Sequence, residues 1–115
     1  YRRRFLEDPG HLPEARREML ERASGDVFFG SCDAIEGING RGNEAQNQFS
    51  QDLGNRLEIK MTGGSDAHST HGLGKFLTEF ADEVNTEAEF LKALHSKQFH
   101  PVTGLRTGNL RPYVI

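Results

Sequence analysis

An α/β fold is what this sequence predicts. Segments with apolar residues at helical spacing alternate with short runs rich in Ile, Phe and Thr, and glycine-rich turns separate the two kinds. A length of 115 residues holds one small domain with a modest core.

Taken in order, Pro13 fits a first helical position, where its missing N–H costs nothing. Leu12, Ala15, Met19 and Ala23 then recur at helical spacing, and Ser24-Gly25-Asp26 ends a helix over 13–24. Asp33 to Asn39 reads as a short strand built on Ala34, Ile35 and Ile38, followed by a Gly40-Arg41-Gly42 turn. A second helix over 43–53 carries Ala45, Phe49 and Leu53 on one stripe, with Gly54 as its C-cap. Leu57 to Thr62 is the next expected strand, broken by Gly63-Gly64. Lys75 to Phe80 alternates Phe76, Thr78 and Phe80 on one side, as a strand does. Thr86-Glu87-Ala88-Glu89 is a capping box, so a third helix starts there and runs to about residue 95. Gln98 to Val102 closes the series as a last strand. The division expected is a domain over 1–103 and an irregular tail over 104–115, where Gly, Arg and Pro are frequent.

Composition narrows the function. An apolar share of 35% with 27% charged residues suits a folded chain rather than a disordered one. A formal charge of −3 disfavours a general nucleic-acid binder, which needs a basic face. Arg2, Arg3 and Arg4 are a local solvated run and build no wider field. Cys32 is the single cysteine, so neither an internal disulfide nor a Cys-x-x-Cys zinc motif exists. A reducing, cytoplasmic setting is the expectation, without a membrane span or signal peptide.

The chemistry-bearing run is Gly63-Gly64-Ser65-Asp66-Ala67-His68. If the segment is extended, Asp66 and His68 point to one side and reach one ion. A carboxylate and an imidazole together suit zinc, manganese or iron better than calcium. A bare Asp-x-His is also what a turn aspartate beside a surface histidine looks like; its place after a strand and a double glycine raises the metal reading to an even choice. Ser65 is able to bond a ligand or a phosphate oxygen. His71 reads as a further ligand, a substrate contact or an ordinary loop histidine. Glu36 lies inside an apolar strand, where a carboxylate either is buried and needs a partner or a task, or faces polar neighbours at the rim of the fold. Asn39 and Arg41 are able to hold a phosphate, or serve as turn residues. His11, His95 and His100 read as solvated or packing residues, and Cys32 as a small buried side chain.

The order Asp33-Ala34-Ile35-Glu36-Gly37-Ile38-Asn39-Gly40, then Gly63-Gly64-Ser65-Asp66-Ala67-His68, then Gly72-Leu73-Gly74 and Thr78-Glu79-Phe80, resembles the C-terminal part of the PHP (polymerase and histidinol phosphatase) domain. The likeness runs from about Tyr1 to about Val102, and Gly-Ser-Asp-Ala-His is its most specific element. It implies a partial, distorted (β/α) barrel: the last few β/α units of a seven-stranded TIM-like barrel. It implies a metal-dependent phosphoesterase using two or three zinc, manganese or iron ions. Asp66 and His68 would be the last two metal ligands, with Ser65, Asn39, Arg41, His71 and Glu36 around them or on substrate. The family's opening His-x-His and its middle His and Glu ligands are absent. The expectation is therefore a C-terminal portion of a hydrolase, inactive alone, whose first partner is the missing N-terminal part of the same domain. A small phosphorylated substrate or nucleotide and a homo-oligomer are the further partners expected. The competing reading is a non-catalytic scaffold or interaction module that kept the fold. A PHP module of a DNA polymerase fits the acidic balance less well.

Overall fold

The computed structural model describes residues 12–115, so Arg2–Arg4 and His11 lie outside the described residues. Helix α1 (Leu12–Ser24) begins within one residue of Pro13, as expected. A four-residue helix, α2 (Val27–Gly30), follows; the Asp26 side chain caps it by accepting from the Phe28 N–H. The Ser24-Gly25-Asp26 stop signal concealed this second start.

Strand β1 (Ile35–Asn39), helix α3 (Glu44–Leu57) and strand β2 (Met61–Gly64) form a βαβ unit, with β1 and β2 parallel. Asn43 and Gln46 make a reciprocal capping box that starts α3. The helix runs past Gly54 and ends on Glu58, which sits in the left-handed region at φ 55°. Gly54 is thus an interior glycine, not a cap. A Cβ there would lie 2.8 Å from the Met61 Cε, so its role is close packing of α3 on β2. The expected strand from Leu57 to Thr62 is shifted accordingly. Leu57 closes the helix, and Gly63-Gly64 are strand residues paired with Ile38 and Asn39 rather than a break.

The second sheet is antiparallel, in the order β3 (Phe76–Phe80), β4 (Phe99–Thr103), β5 (Arg111–Pro112). Between β3 and β4 lies α4 (Glu87–Ser96), opened by the Thr86/Glu89 capping box that the sequence announces. The tail is more ordered than its composition suggests. A 3₁₀ turn at Leu105–Thr107 leads into β5, which pairs with the end of β4.

Two apolar clusters hold these pieces. Ala23, Ile38, Leu53 and Met61 are buried between α1, α3 and the parallel pair; Ala93, Phe99 and Val102 are buried on the second sheet, where Phe80 stacks against Phe90 and Phe99. An Arg16–Asp52 ion pair links α1 to α3. The two sheets meet at Gly63: the Thr78 hydroxyl bonds both its N–H and its carbonyl, at 3.0 and 2.9 Å. A Cβ on Gly63 would stand 2.5 Å from the Leu77 carbonyl oxygen, so only glycine allows this approach. The described residues form a mixed α/β arrangement of two small sheets, without a closed barrel.

Candidate metal-binding loop

The parallel register, Asn39 opposite Gly64, brings the C-terminal ends of β1 and β2 side by side. The Gly40 N–H donates to the Gly64 carbonyl at 2.9 Å, and a Cβ on Gly40 would stand 2.4 Å from the Ser65 oxygen. The loop after β1 therefore presses on the loop that carries Asp66.

Asn39 folds the first loop. Its side-chain oxygen accepts from the N–H groups of Arg41 and Gly42, both at 2.9 Å, and its amide donates to Glu36 at 2.9 Å. Asn47, from the first turn of α3, accepts from the Asn39 N–H and donates to the Asn39 carbonyl. Glu36 is exposed, not enclosed in an apolar strand. Its carboxylate lies over Gly64, where a Cβ would meet it at 2.0 Å. Its partner is Asn39, so the need for one is met at the surface. The Arg41 side chain is exposed beside this turn.

The second loop is fastened by Ser65, whose hydroxyl donates to the Phe76 carbonyl at 2.9 Å and accepts from the Gly74 N–H at 3.0 Å. Lys75 reaches across to the Gly40 carbonyl at 2.6 Å and joins both loops. Asp66 then takes φ 48°, a left-handed conformation that aspartate tolerates better than most residues. The segment is therefore not extended. Asp66 and His68 converge because of this turn, with His68 Nδ1 3.6 Å from the Asp66 carboxylate.

His68 Nδ1 also lies 2.9 Å from the Asp66 carbonyl oxygen. A carbonyl only accepts, so in the neutral ring Nδ1 carries the proton and Nε2 the free lone pair. Metal-bound histidines commonly use this arrangement, with one ring nitrogen held by a carbonyl and the other left for the ion. Both side chains are open to solvent, 66% exposed for His68 and 42% for Asp66. His71 is exposed in the 3₁₀ turn Thr70–Gly72, three residues on.

These donors fit part of a coordination sphere. Among the described residues no three His, Cys, Asp or Glu side chains come together as a metal group. Outside this loop, His100 pairs with Glu79 across β4 and β3 at 3.1 Å, and His95 lies 3.8 Å from Asp33. A cleft of about 630 Å³, lined by Lys60, Glu79, Lys97, Phe99 and His100 among others, opens at the opposite ends of the strands from Asp66. Lys75 and Asn47, which build the loop pair, were not read from the sequence. Lys75 merely opens an expected strand there, and Asn47 resembles any polar residue of a first helical turn.

A βαβ unit with a polar loop cluster at its strand ends defines an α/β domain of the kind that carries its chemistry on such loops. Residues 44–99 match the family described as PHP-associated, and Ser65, Asp66, His68 and His71 lie inside this stretch. The likeness to the C-terminal part of a PHP domain is thereby borne out. No curated protein and no solved structure gave a significant match. Among the described residues no helix is long and apolar enough to cross a membrane.

Proposed function

We propose that this chain is the C-terminal portion of a metal-dependent phosphoesterase and that Asp66 and His68 supply two ligands of its metal centre. The observation that carries the reading is the hydrogen bond from His68 Nδ1 to the Asp66 carbonyl, which in the neutral ring leaves Nε2 free, with the Asp66 carboxylate 3.6 Å from Nδ1. The PHP-associated match over 44–99 supports it. The two small sheets are then the last units of a distorted barrel whose other strands and ligands come from outside the described residues.

A divalent ion at this loop would lower the pKa of a bound water and neutralise charge on a phosphate ester. The chain's own residues do the rest. His68 and Asp66 hold the ion's place, and the Ser65 hydroxyl fixes the loop to β3. Lys75 fixes it to the first loop. Arg41, exposed at the neighbouring turn, is available to a phosphate oxygen, and His71 to substrate or ion. Zinc, manganese and iron all suit an imidazole and a carboxylate, and small phosphorylated compounds are the substrate class. Two protein ligands are too few to retain a catalytic ion, so the chain alone is inactive in this reading.

The test is phosphoesterase turnover in the intact protein that carries this chain, with manganese or zinc supplied. Asp66→Ala and His68→Ala should each lower kcat/KM by about 100-fold or more, since loss even of a group that supports a ligand costs roughly 10–100-fold. Full activity of the His68→Ala variant would remove the metal-ligand assignment and favour the scaffold reading.

A further inference from the structure

The tail beyond residue 103 lies outside the family match, yet it touches the loop that bears Asp66 and His68. Arg106 donates from its guanidinium to the His71 carbonyl. Leu105 covers Gly74, where a Cβ would meet its Cδ2 at 3.1 Å and where φ is +74°. One residue before this turn region, the Thr103 hydroxyl donates to the Lys75 carbonyl at 3.1 Å. So 103–106 grips the chain at His71, Gly74 and Lys75, the return limb of the site loop.

The gripping segment is itself stiff. The Gly104 carbonyl accepts from the N–H groups of Thr107 and Asn109 and from the Thr107 hydroxyl, at 3.0–3.2 Å. Gly104 holds φ +91°, and the Asn109 carbonyl occupies the space a Cβ would need, at 1.9 Å. Further on, the Tyr113 N–H donates to the Pro101 carbonyl at 2.9 Å and its ring packs edge-on against Phe76. The tail is anchored on both sides of Leu105–Thr107 and closes on itself between them.

We propose that Arg106 is a positioning residue for the candidate metal loop: through the His71 carbonyl it holds the 65–74 loop in the turn that fixes the His68 tautomer. The inference rests on reading His68 as a ligand, but its first readouts need no metal. A guanidinium-to-carbonyl bond is charge-assisted and among the stronger ones available to an exposed side chain. Its removal frees one point of a loop whose other fastenings are Ser65, Lys75, Thr103 and Leu105. His68 then loses the fixed approach to the Asp66 carbonyl that keeps the proton on Nδ1.

The experiment compares the wild-type chain with Arg106→Ala and Arg106→Lys by ¹⁵N NMR and amide hydrogen exchange. In Arg106→Ala the Gly72 and Gly74 amides should exchange about three- to tenfold faster, the range for losing one partly exposed charged hydrogen bond. His68 should drift from the Nδ1–H toward the Nε2–H tautomer, while the buried Val102 amide is unchanged. Arg106→Lys, which keeps a cationic donor, should restore both signals. Unaltered exchange in Arg106→Ala overturns the proposal. So does faster exchange with an unchanged tautomer, which makes the tail a structural fastening only, or failure of lysine to restore. Absence of a zinc response at His68 in the wild type, with these changes present, refutes the ligand reading and leaves the positioning role standing.

Discussion

At the scale of single residues, the site is written in backbone conformation as much as in side chains. Asp66 and His68 were legible as a pair, because Asp-x-His after two glycines is an uncommon concentration of donors. The way they meet was not. An extended segment would set them side by side, whereas a left-handed Asp66 folds His68 back onto its own carbonyl. A non-glycine residue in that region costs about 1–2 kcal/mol, and such strain concentrates where a side chain serves something other than stability. Asp66→Gly should therefore be neutral or stabilising by up to about 1 kcal/mol, measured as the urea midpoint, because the relief offsets the added freedom of the unfolded chain. A loss larger than about 1 kcal/mol would mean that the carboxylate is a structural tie. Glu36 shows the opposite limit of the sequence. Its apolar neighbours left burial and a polar-facing position equally open, and one-residue alternation on a half-covered strand turns it outward, over Gly64.

At the scale of elements, capping chemistry was the most readable signal. Thr86 and Glu89 announced α4 correctly, since both halves of the box are in the sequence and local in space. The end of α3 departs from its expected place for a tertiary reason. Gly54 looks like a stop, but its missing side chain serves Met61 on the neighbouring strand, and the helix ends on Glu58 instead. Displacing the helix end displaced the β2 start with it. The same pairing contains a feature invisible in one dimension. The β1 register jumps between Glu36 and Ile38, leaving Gly37 without a partner in the β1–β2 register, and buried Gln51 donates to the Gly37 carbonyl at 2.9 Å. Gln51→Ala strands that acceptor in the interior and should destabilise the chain by about 1–3 kcal/mol in denaturant unfolding. A change below about 0.5 kcal/mol would show that water replaces the amide without cost.

At the scale of the whole molecule, the alternation of segments gave the α/β class, while the division into a two-stranded and a three-stranded sheet required long-range pairing that no local pattern encodes. Among the described residues β1 is flanked by a strand on one side only, and Val27, Phe28, Leu73 and Leu110 expose large apolar surfaces. Parallel strands are ordinarily covered on both faces, and an open edge invites another strand. Sedimentation of the isolated chain should thus show concentration-dependent association; a single monomeric species throughout would contradict an unsatisfied edge. The candidate metal loop stands at the far end from the Glu79–His100 pair, so a bound ion can be located by which histidine responds. The most direct measurement is a zinc titration of the chain followed through the ¹⁵N resonances of its histidine rings. The account predicts weak binding that moves His68 Nε2 while Nδ1 keeps its proton, leaves His95 and His100 unmoved, and disappears in Asp66→Ala. A response led by His95 or His100, or none at His68, would contradict it.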